Sequence, residues 1–240
     1  MRAIILAGGK GTRLLPFTTL IPKPLVPLGG RYSILEIVLI QLSRAGFDHV
    51  TLAVNRLSNL IMSYFGDGSR WDLTLDYSLE DQPLSTIGPL TLIKDLPDNF
   101  LVMNGDILCD LDYGEFFRQH ITSNNLLSVS AYHREVTIDF GVLEYDHNYN
   151  LTGFREKPTF DFNVSMGIYC LNKKAINHVQ PNTPYGFDDL MREGLAKQQK
   201  IQIIPFSGFW LDIGRPEDYQ YADQNFDSLS KSLGIMDVSP

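Results

Sequence analysis

Ala3-Ile4-Ile5-Leu6-Ala7 is an unbroken apolar run that empties into Gly8-Gly9-Lys10-Gly11-Thr12-Arg13, and this junction limits the fold more than any other stretch. A short run that is apolar at every position needs cover on both faces, the condition of a central parallel strand. Three glycines in four positions then let the backbone approach a ligand closely and turn its N–H groups toward an anion. Arg13 adds a planar fork of donors suited to phosphate, and Lys23 is held rigidly in Pro22-Lys23-Pro24. A tight turn alone also asks for glycine. It does not ask for Thr12, Arg13 and a proline-braced lysine behind a buried strand, so phosphate binding is the expectation. The loop is not G-x-x-x-x-G-K-[ST], and Leu14 stands where the dinucleotide fingerprint has its third glycine.

The first half continues as alternating strands and helices. Ser33-x-x-Glu36 is a capping box that opens a helix carrying Ile34, Ile37, Val38, Leu42 and Ala45, closed by Gly46. Val50–Val54 predicts a second strand, Leu57–Phe65 a second helix, and Leu73–Tyr77 a third strand. A short helix is expected over Leu90–Lys94 and a fourth strand over Phe100–Met103. This rhythm calls for an α/β fold, a mostly parallel sheet with helices on both faces. Beyond it, Leu126–Tyr132, Phe140–Tyr145, Leu151–Arg155 and Val164–Leu171 read as strands, with a turn over residues 146–150. Asp188 or Asp189 is expected to cap a helix running to Lys197, Ile201–Pro205 reads as a strand, and Pro216 opens a last helix. No linker or repeat divides the chain. A single domain over residues 1–240 is expected, with a nucleotide-binding half near 1–125 and an antiparallel half near 126–225.

Net charge is −8, so a basic site must be local and aimed at something small; nucleic acid is not an expected partner. Cys109 and Cys170 sit apart in apolar segments and read as reduced, buried thiols, and the five histidines show no metal-ligand spacing. No stretch approaches the roughly 18 apolar residues of a membrane span, and the first apolar run is too short for a signal peptide. The expected location is the cytoplasm, away from the membrane. Apolar residues on the late strands suit either a homodimer contact or ordinary core packing.

Asp106 follows the fourth strand in Asn104-Gly105-Asp106, at the sheet edge where the glycine loop also emerges. A carboxylate there suits Mg²⁺ shared with substrate phosphates, and it also suits a turn or a helix cap. Asp212, in Trp210-Leu211-Asp212-Ile213-Gly214, again follows an apolar run and precedes a helix, so it reads partly as helix-start architecture. Glu156-Lys157-Pro158 holds a second proline-braced lysine; taken alone, the pair is an ordinary solvated surface pair.

In combination these motifs resemble the sugar-1-phosphate nucleotidyltransferases, the nucleotide-sugar pyrophosphorylases. The match runs in the family's order from residue 1 to about 220. It implies a Rossmann-like, mostly parallel sheet with a small antiparallel sugar-binding layer. It also implies an enzyme that makes a nucleoside-diphosphate sugar and pyrophosphate from an NTP and a sugar 1-phosphate, with Mg²⁺ as cofactor. Carried over residue by residue, Leu6, Ala7 and Gly8 face the base, and Gly9, Gly11 and Thr12 the phosphates. Arg13 binds the departing pyrophosphate, Lys23 the reacting phosphates, and Asp106 and Asp212 share the metal. Gly141 and Glu156 meet the sugar and Lys157 its phosphate. Ser165 stands where many relatives place an asparagine facing the sugar.

Glu80-Asp81-Gln82-Pro83-Leu84-Ser85-Thr86-Ile87-Gly88 aligns with the segment that lines the base pocket, with Ser85 in place of glycine and Ile87 in place of a smaller residue. Glu80, Ser85 and Thr86 are thus nucleotide-binding candidates, and Ser85 either reshapes the base site or points away from it. The style is closest to mannose- or heptose-type guanylyltransferases, which favours GTP, with UTP next. No hexapeptide-repeat β-helix follows the last helix, which suggests a single-function enzyme. Two rival readings stand beside this one. Asp110-Leu111-Asp112 has the D-x-D form of metal-dependent glycosyltransferases, although Asp112 also makes a good helix N-cap. A non-catalytic nucleotide-sugar sensor is the other, but it is expected to lack Arg13, Lys23 or a metal carboxylate, and this chain has them all.

Overall fold

A computed structural model describes residues 1–9, 11–55 and 58–235. Lys10 of the glycine loop and Leu57, the expected start of the second helix, lie outside the described residues. The chain opens with β1 (Arg2–Leu6), the short pair β2 (Pro27–Leu28) and β3 (Tyr32–Ser33), then α1 (Ile34–Arg44) and β4 (His49–Val54). It continues with α2 (Ser58–Phe65), β5 (Thr74–Leu79), β6 (Asn99–Asn104), β7 (Ile107–Cys109) and α3 (Tyr113–Ser123). The second half holds β8 (Leu127–Thr137), β9 (Val142–Tyr145), β10 (Leu151–Arg155), β11 (Thr159–Asn172) and α4 (Phe187–Ala196). It ends with β12 (Ile201–Phe206), β13 (Trp210–Asp212), α5 (Pro216–Gln224) and α6 (Phe226–Ser232).

Seven strands form one sheet in the order β12-β8-β11-β6-β1-β4-β5. Only β11 is reversed, pairing antiparallel with β6 and β8; the other pairings are parallel. Successive side chains on a strand point to opposite faces, and the core divides accordingly. Ala3, Ile5, Leu101 and Met103 belong to a cluster packed against α1, while Ile4, Phe100 and Val102 join Leu90 and Leu190 on the other face. Apolar layers on both sides of a mostly parallel sheet are the expected α/β architecture. Among the described residues, no helix is long and apolar enough to cross a membrane.

The local signals act where the sequence puts them. Ser33 Oγ accepts from Glu36 N at 3.2 Å, and Glu36 returns a carboxylate oxygen to Ser33 N at 3.3 Å, closing the capping box. Asp112 Oδ1 accepts from Glu115 N at 2.8 Å and starts α3. Other boundaries differ. The helix expected over Leu90–Lys94 is a 3₁₀ turn, Gly88–Leu92, with Pro89 in its first turn and the backbone already extended at Ile93. Helix α4 starts from Gly186, not Asp188 or Asp189; Asp189 sits inside its first turn and accepts from Gly186 N at 2.8 Å. Strands β8 and β11 run well past their expected ends, to Thr137 and from Thr159, as a largely solvated two-stranded ribbon; on β11 Phe160, Phe162 and Val164 alternate with polar residues, a strand signal that the expected bounds left out.

Candidate active site

Parallel strands deliver their C-terminal ends to one edge of the sheet, where an open α/β fold binds ligands. Here that edge holds a cleft of about 780 Å³ lined by Gly8, Gly9, Asn55, Glu80, Ser85 and Asp106 among others. Glycine at position 8 leaves room for the side chains of Glu80 and Asn55. A Cβ there would lie 2.9 Å from Glu80 Oε1 and 3.3 Å from Asn55 Cβ. Gly11 adopts φ +64°, and its carbonyl accepts from Thr18 Oγ1 at 2.7 Å and Leu14 N at 2.9 Å. Leu14 is fully buried and anchors the loop, leaving Thr12 and Arg13 exposed. Leu6 and Ala7 lead into this loop at the end of β1, and Leu6 also lines the cleft.

Across the cleft, Glu80 Oε2 accepts from Leu84 N at 3.2 Å, and burial pushes its carboxyl up from the usual range. Ser85 has φ +66°, the left-handed region that favours glycine, so the serine occupies glycine's backbone conformation at some strain. Thr86 Oγ1 accepts from Phe187 N at 2.7 Å, which commits that side chain to the first turn of α4.

The two acidic positions, 106 residues apart in sequence, meet through a three-residue ladder. Strand β13 pairs antiparallel with β7, setting Asp212 opposite Ile107, and Ile213 N donates to Asp106 O at 3.0 Å. Lys23 opens a 3₁₀ turn between its two prolines and is 9% exposed, and its Nζ forms an ion pair with Asp106 Oδ2. Asp106 Oδ1 is buried without a hydrogen-bond partner. Burial first, and Asp106 second, raise the Asp212 carboxyl above its usual range, while Lys23 and Arg13 pull it back. Two crowded carboxylates, one with an orphaned oxygen, are short of positive charge. That is the donor set a hard divalent cation takes.

A second cleft of about 350 Å³ adjoins the first, sharing Arg13 and lined also by Tyr132, Arg134, Trp210, Asp212 and Arg215. The Arg13 guanidinium lies along Gly214, where a Cβ would stand 3.3 Å from Nη1. Asn55, Arg134 and Arg215 went unnamed in the sequence reading, and Asn104 appeared there only as part of the Asn104-Gly105-Asp106 motif, with no role of its own. Asn55 and Asn104 were findable as strand-end residues, and Arg215 as the residue next to Trp210-Leu211-Asp212-Ile213-Gly214.

Ser165 lies near this region. Its Oγ donates to Tyr169 OH at 3.0 Å, and Gly167, φ +75°, is pressed against Asn104. Gly141, Glu156 and Lys157 are exposed residues around the β8–β11 ribbon, and none of them lines either cleft. A Cβ on Gly141 would lie 3.3 Å from Glu156 Oε2, so these two sit together, while Lys157 pairs with Asp139 at 3.1 Å. Ser165 faces Ala131 and Thr159 faces Thr137 in the ladder. Six residues of strand therefore separate the two ends by about 20 Å. The D-x-D carboxylates serve the backbone: Asp110 accepts from Phe209 N at 2.7 Å, and Asp112 caps α3. Cross-strand pairing also gathers His133, Glu135 and Asp161, a grouping that histidine spacing in sequence does not reveal; all three are exposed.

The sequence matches the model of the nucleotidyl transferase family over residues 2–228. It is 31% identical over 226 residues to a mannose-1-phosphate guanylyltransferase catalytic subunit beta of Dictyostelium discoideum, covering 91% of this chain. It is 31% identical over 231 residues to a mannose-1-phosphate guanyltransferase of Aspergillus oryzae, again covering 91% of this chain. The chain spans 62% of the length of each of these relatives. Its structure resembles that of HddC from Yersinia pseudotuberculosis complexed with GMP-PN, with a TM-score of 0.71 and 27% identity over 94% of this chain and 99% of that one. A putative glucose-1-phosphate thymidylyltransferase from Bacillus anthracis shares the fold, with a TM-score of 0.75 at 22% identity over 100% of this chain and 97% of that one. The matched span includes the glycine loop, Lys23 and both cleft carboxylates: the chain belongs to the nucleotidyl transferase family.

Proposed function

We propose that this chain transfers a nucleotidyl group from an NTP, with GTP favoured, to a sugar 1-phosphate of mannose or heptose type, releasing pyrophosphate. The observation that carries the reading is the half-buried Asp106–Asp212 pair with Lys23 on Asp106, set beside the glycine-loop cleft. The guanylyltransferase names of the relatives and the GMP-PN complex of HddC support the choice of base.

The chemistry asks for no protein nucleophile. A phosphate oxygen of the sugar 1-phosphate attacks the α-phosphorus, the bond to the β-phosphate bridging oxygen breaks, and pyrophosphate leaves with its electron pair. The protein's task is to align two anions and neutralise their repulsion. Alignment alone contributes up to about 7–11 kcal/mol toward such a barrier. The loop amides of Gly9, Gly11 and Thr12 suit the triphosphate, and Arg13, exposed between the two clefts, suits the departing pyrophosphate. Lys23, fixed by its prolines and by Asp106, offers its remaining donors to the reacting phosphates. Asp106 and Asp212 would hold Mg²⁺, which would neutralise phosphate charge at the reacting centre.

Incubating the protein with GDP-mannose, pyrophosphate and Mg²⁺ tests the reading, because only a pyrophosphorylase returns GTP and mannose 1-phosphate. Asp106→Asn should fold normally and lower kcat by about 100-fold or more. GTP formation at the parent rate by that variant would remove Asp106 from the reaction, and hydrolysis or glycosyl transfer without GTP formation would favour the glycosyltransferase reading.

A further inference from the structure

Strands β9 and β10 pair only with each other, as a two-stranded sheet apart from the seven-stranded one. A lone two-stranded sheet is marginal in water and needs an apolar face packed against something else. Leu143 and Tyr145 share one face of β9, and their cross-strand neighbours on β10 are Phe154 and Leu151. All four are more than half exposed. Tyr149, from the connecting turn, is 83% exposed and stacks with Tyr145 at a centroid distance of 5.6 Å. The opposite face carries the charges. Arg155 pairs there with Glu144 at 3.1 Å, and its guanidinium lies 5.1 Å from the ring centroid of Phe160 on β11. The hairpin thus turns its charged face toward the ribbon and its apolar face to solvent, the reverse of an ordinary surface strand.

Three aromatic rings and two leucines at these exposures present about 600 Å² of apolar surface in one patch. That is the upper limit of the largest patch on a typical monomer. It is also about three-quarters of the roughly 800 Å² that each partner gives to a standard interface. His147, Asn148 and Asn150, exposed around the turn, supply the polar rim such an interface carries.

Charge identifies the occupant. None of the five patch side chains is charged, and the acids beside them are already engaged: Glu144 with Arg155, and Asp146 with Asn148 N at 2.8 Å and Asn150 N at 2.9 Å. A basic or acidic partner would find no complementary charge on this face. A two-fold contact sets a patch against itself, which suits apolar and aromatic groups and penalises any unpaired charge. Copies of net charge −8 repel at long range, so a contact between them belongs on an uncharged face.

We propose that the β9–β10 face is a homodimer contact, in which two copies of this chain meet about a two-fold axis through Leu143, Tyr145, Tyr149, Leu151 and Phe154. The inference goes beyond the nucleotidyl-transfer reading and stands without it.

Sedimentation velocity of the chain between about 1 and 100 µM tests it, because an interface of this size holds at such concentrations. The expected species has twice the 27.2 kDa of one chain. Leu143→Glu with Leu151→Glu should weaken the dimer about a hundredfold or more while leaving the circular dichroism spectrum unchanged. Tyr149→Asn, which suits the left-handed backbone at φ +66°, should weaken it about tenfold. Leu195→Glu, on an exposed leucine of α4, should leave it intact. Mixing the double-glutamate variant with Leu143→Lys/Leu151→Lys should restore a dimer, a result that damage to the fold cannot produce. A monomer at every concentration would overturn the proposal and leave the face to a different partner. A dimer that survives the double-glutamate substitution would overturn it too, placing the contact on another surface.

Discussion

Replacing Lys23 with methionine keeps most of the side chain's volume and removes its charge, leaving Asp106 beside Asp212 with no cation in contact. Lys23 is 10% exposed at the side chain and Asp106 23%, so the pair is largely shielded from solvent. A contact pair at the effective dielectric of such a position is worth about 4 kcal/mol of gross attraction. Removing one partner of a buried pair costs about 3–5 kcal/mol, because the remaining charge stays desolvated. The residual exposure of Asp106 places Lys23→Met toward the lower end, about 3 kcal/mol, a large share of the roughly 5–15 kcal/mol that holds a domain folded. Lys23→Met with Asp106→Asn breaks no pair one-sidedly and should lose only about 1 kcal/mol, giving a coupling of at least about 2 kcal/mol in a double-mutant cycle, and more by whatever Asp106→Asn alone costs. Urea unfolding at neutral pH, with slopes compared across the four proteins, measures this directly. A single-variant loss under about 1 kcal/mol with no coupling would show a solvent-screened pair, and the charge deficit argued for the carboxylate site would fail with it.

Two further predictions concern the frame around the site. Burial lowers the His120 imidazole from 6.5 to about 4, with Ser128 Oγ at 2.8 Å and Asn99 Oδ1 at 3.2 Å on its two nitrogens. The unfolded chain therefore takes up a proton that the folded one refuses. Stability tied to this group is complete above about pH 6.5 and falls by up to about 3 kcal/mol as the pH drops toward 4. His120→Gln should flatten that part of the pH–stability curve, and an unchanged slope would contradict the assignment. Gly167→Ala puts a Cβ 2.6 Å from Asn104 Nδ2 and 2.8 Å from Ile107 Cδ1 at φ +75°, so it should cost about 2–4 kcal/mol in chemical denaturation. A cost below about 1 kcal/mol would mean that the chain around Asp106 yields more readily than its packing indicates.

Much of this organisation was legible because local rules and tertiary placement agree. Strand β1, apolar from Ala3 onward, lies inside the sheet between β6 and β4, Ser33 and Glu36 form their reciprocal cap, and the glycine loop emerges at the strand edge that also carries Asp106. Helix α3 was partly legible: Tyr113, Phe116, Phe117 and His120 follow helical spacing behind the Asp112 cap. What was not legible depends on partners far away in sequence. Strands β7 and β13 have three residues each, too few for a periodicity, and they exist because they pair with each other. That pairing brings Asp212 to Asp106. On β8 the ribbon extends through His133, Arg134 and Glu135, polar residues with no strand signal of their own that cross-strand hydrogen bonds to β11 hold in place, whereas Phe160-Asp161-Phe162-Asn163-Val164 on β11 does alternate. Arg134 and Arg215 belong to separate motifs, and only their convergence on one cleft makes them candidates.

The central claim is nucleotidyl transfer at the Asp106–Asp212 pair. Its most direct test is Mg²⁺-dependent pyrophosphate release, measured for each NTP and dTTP against a panel of hexose and heptose 1-phosphates. The account predicts release with GTP and a mannose- or heptose-type 1-phosphate, lost in Asp106→Asn and in Asp212→Asn while both variants remain folded. No release in any combination, or release undiminished in both variants, would contradict it.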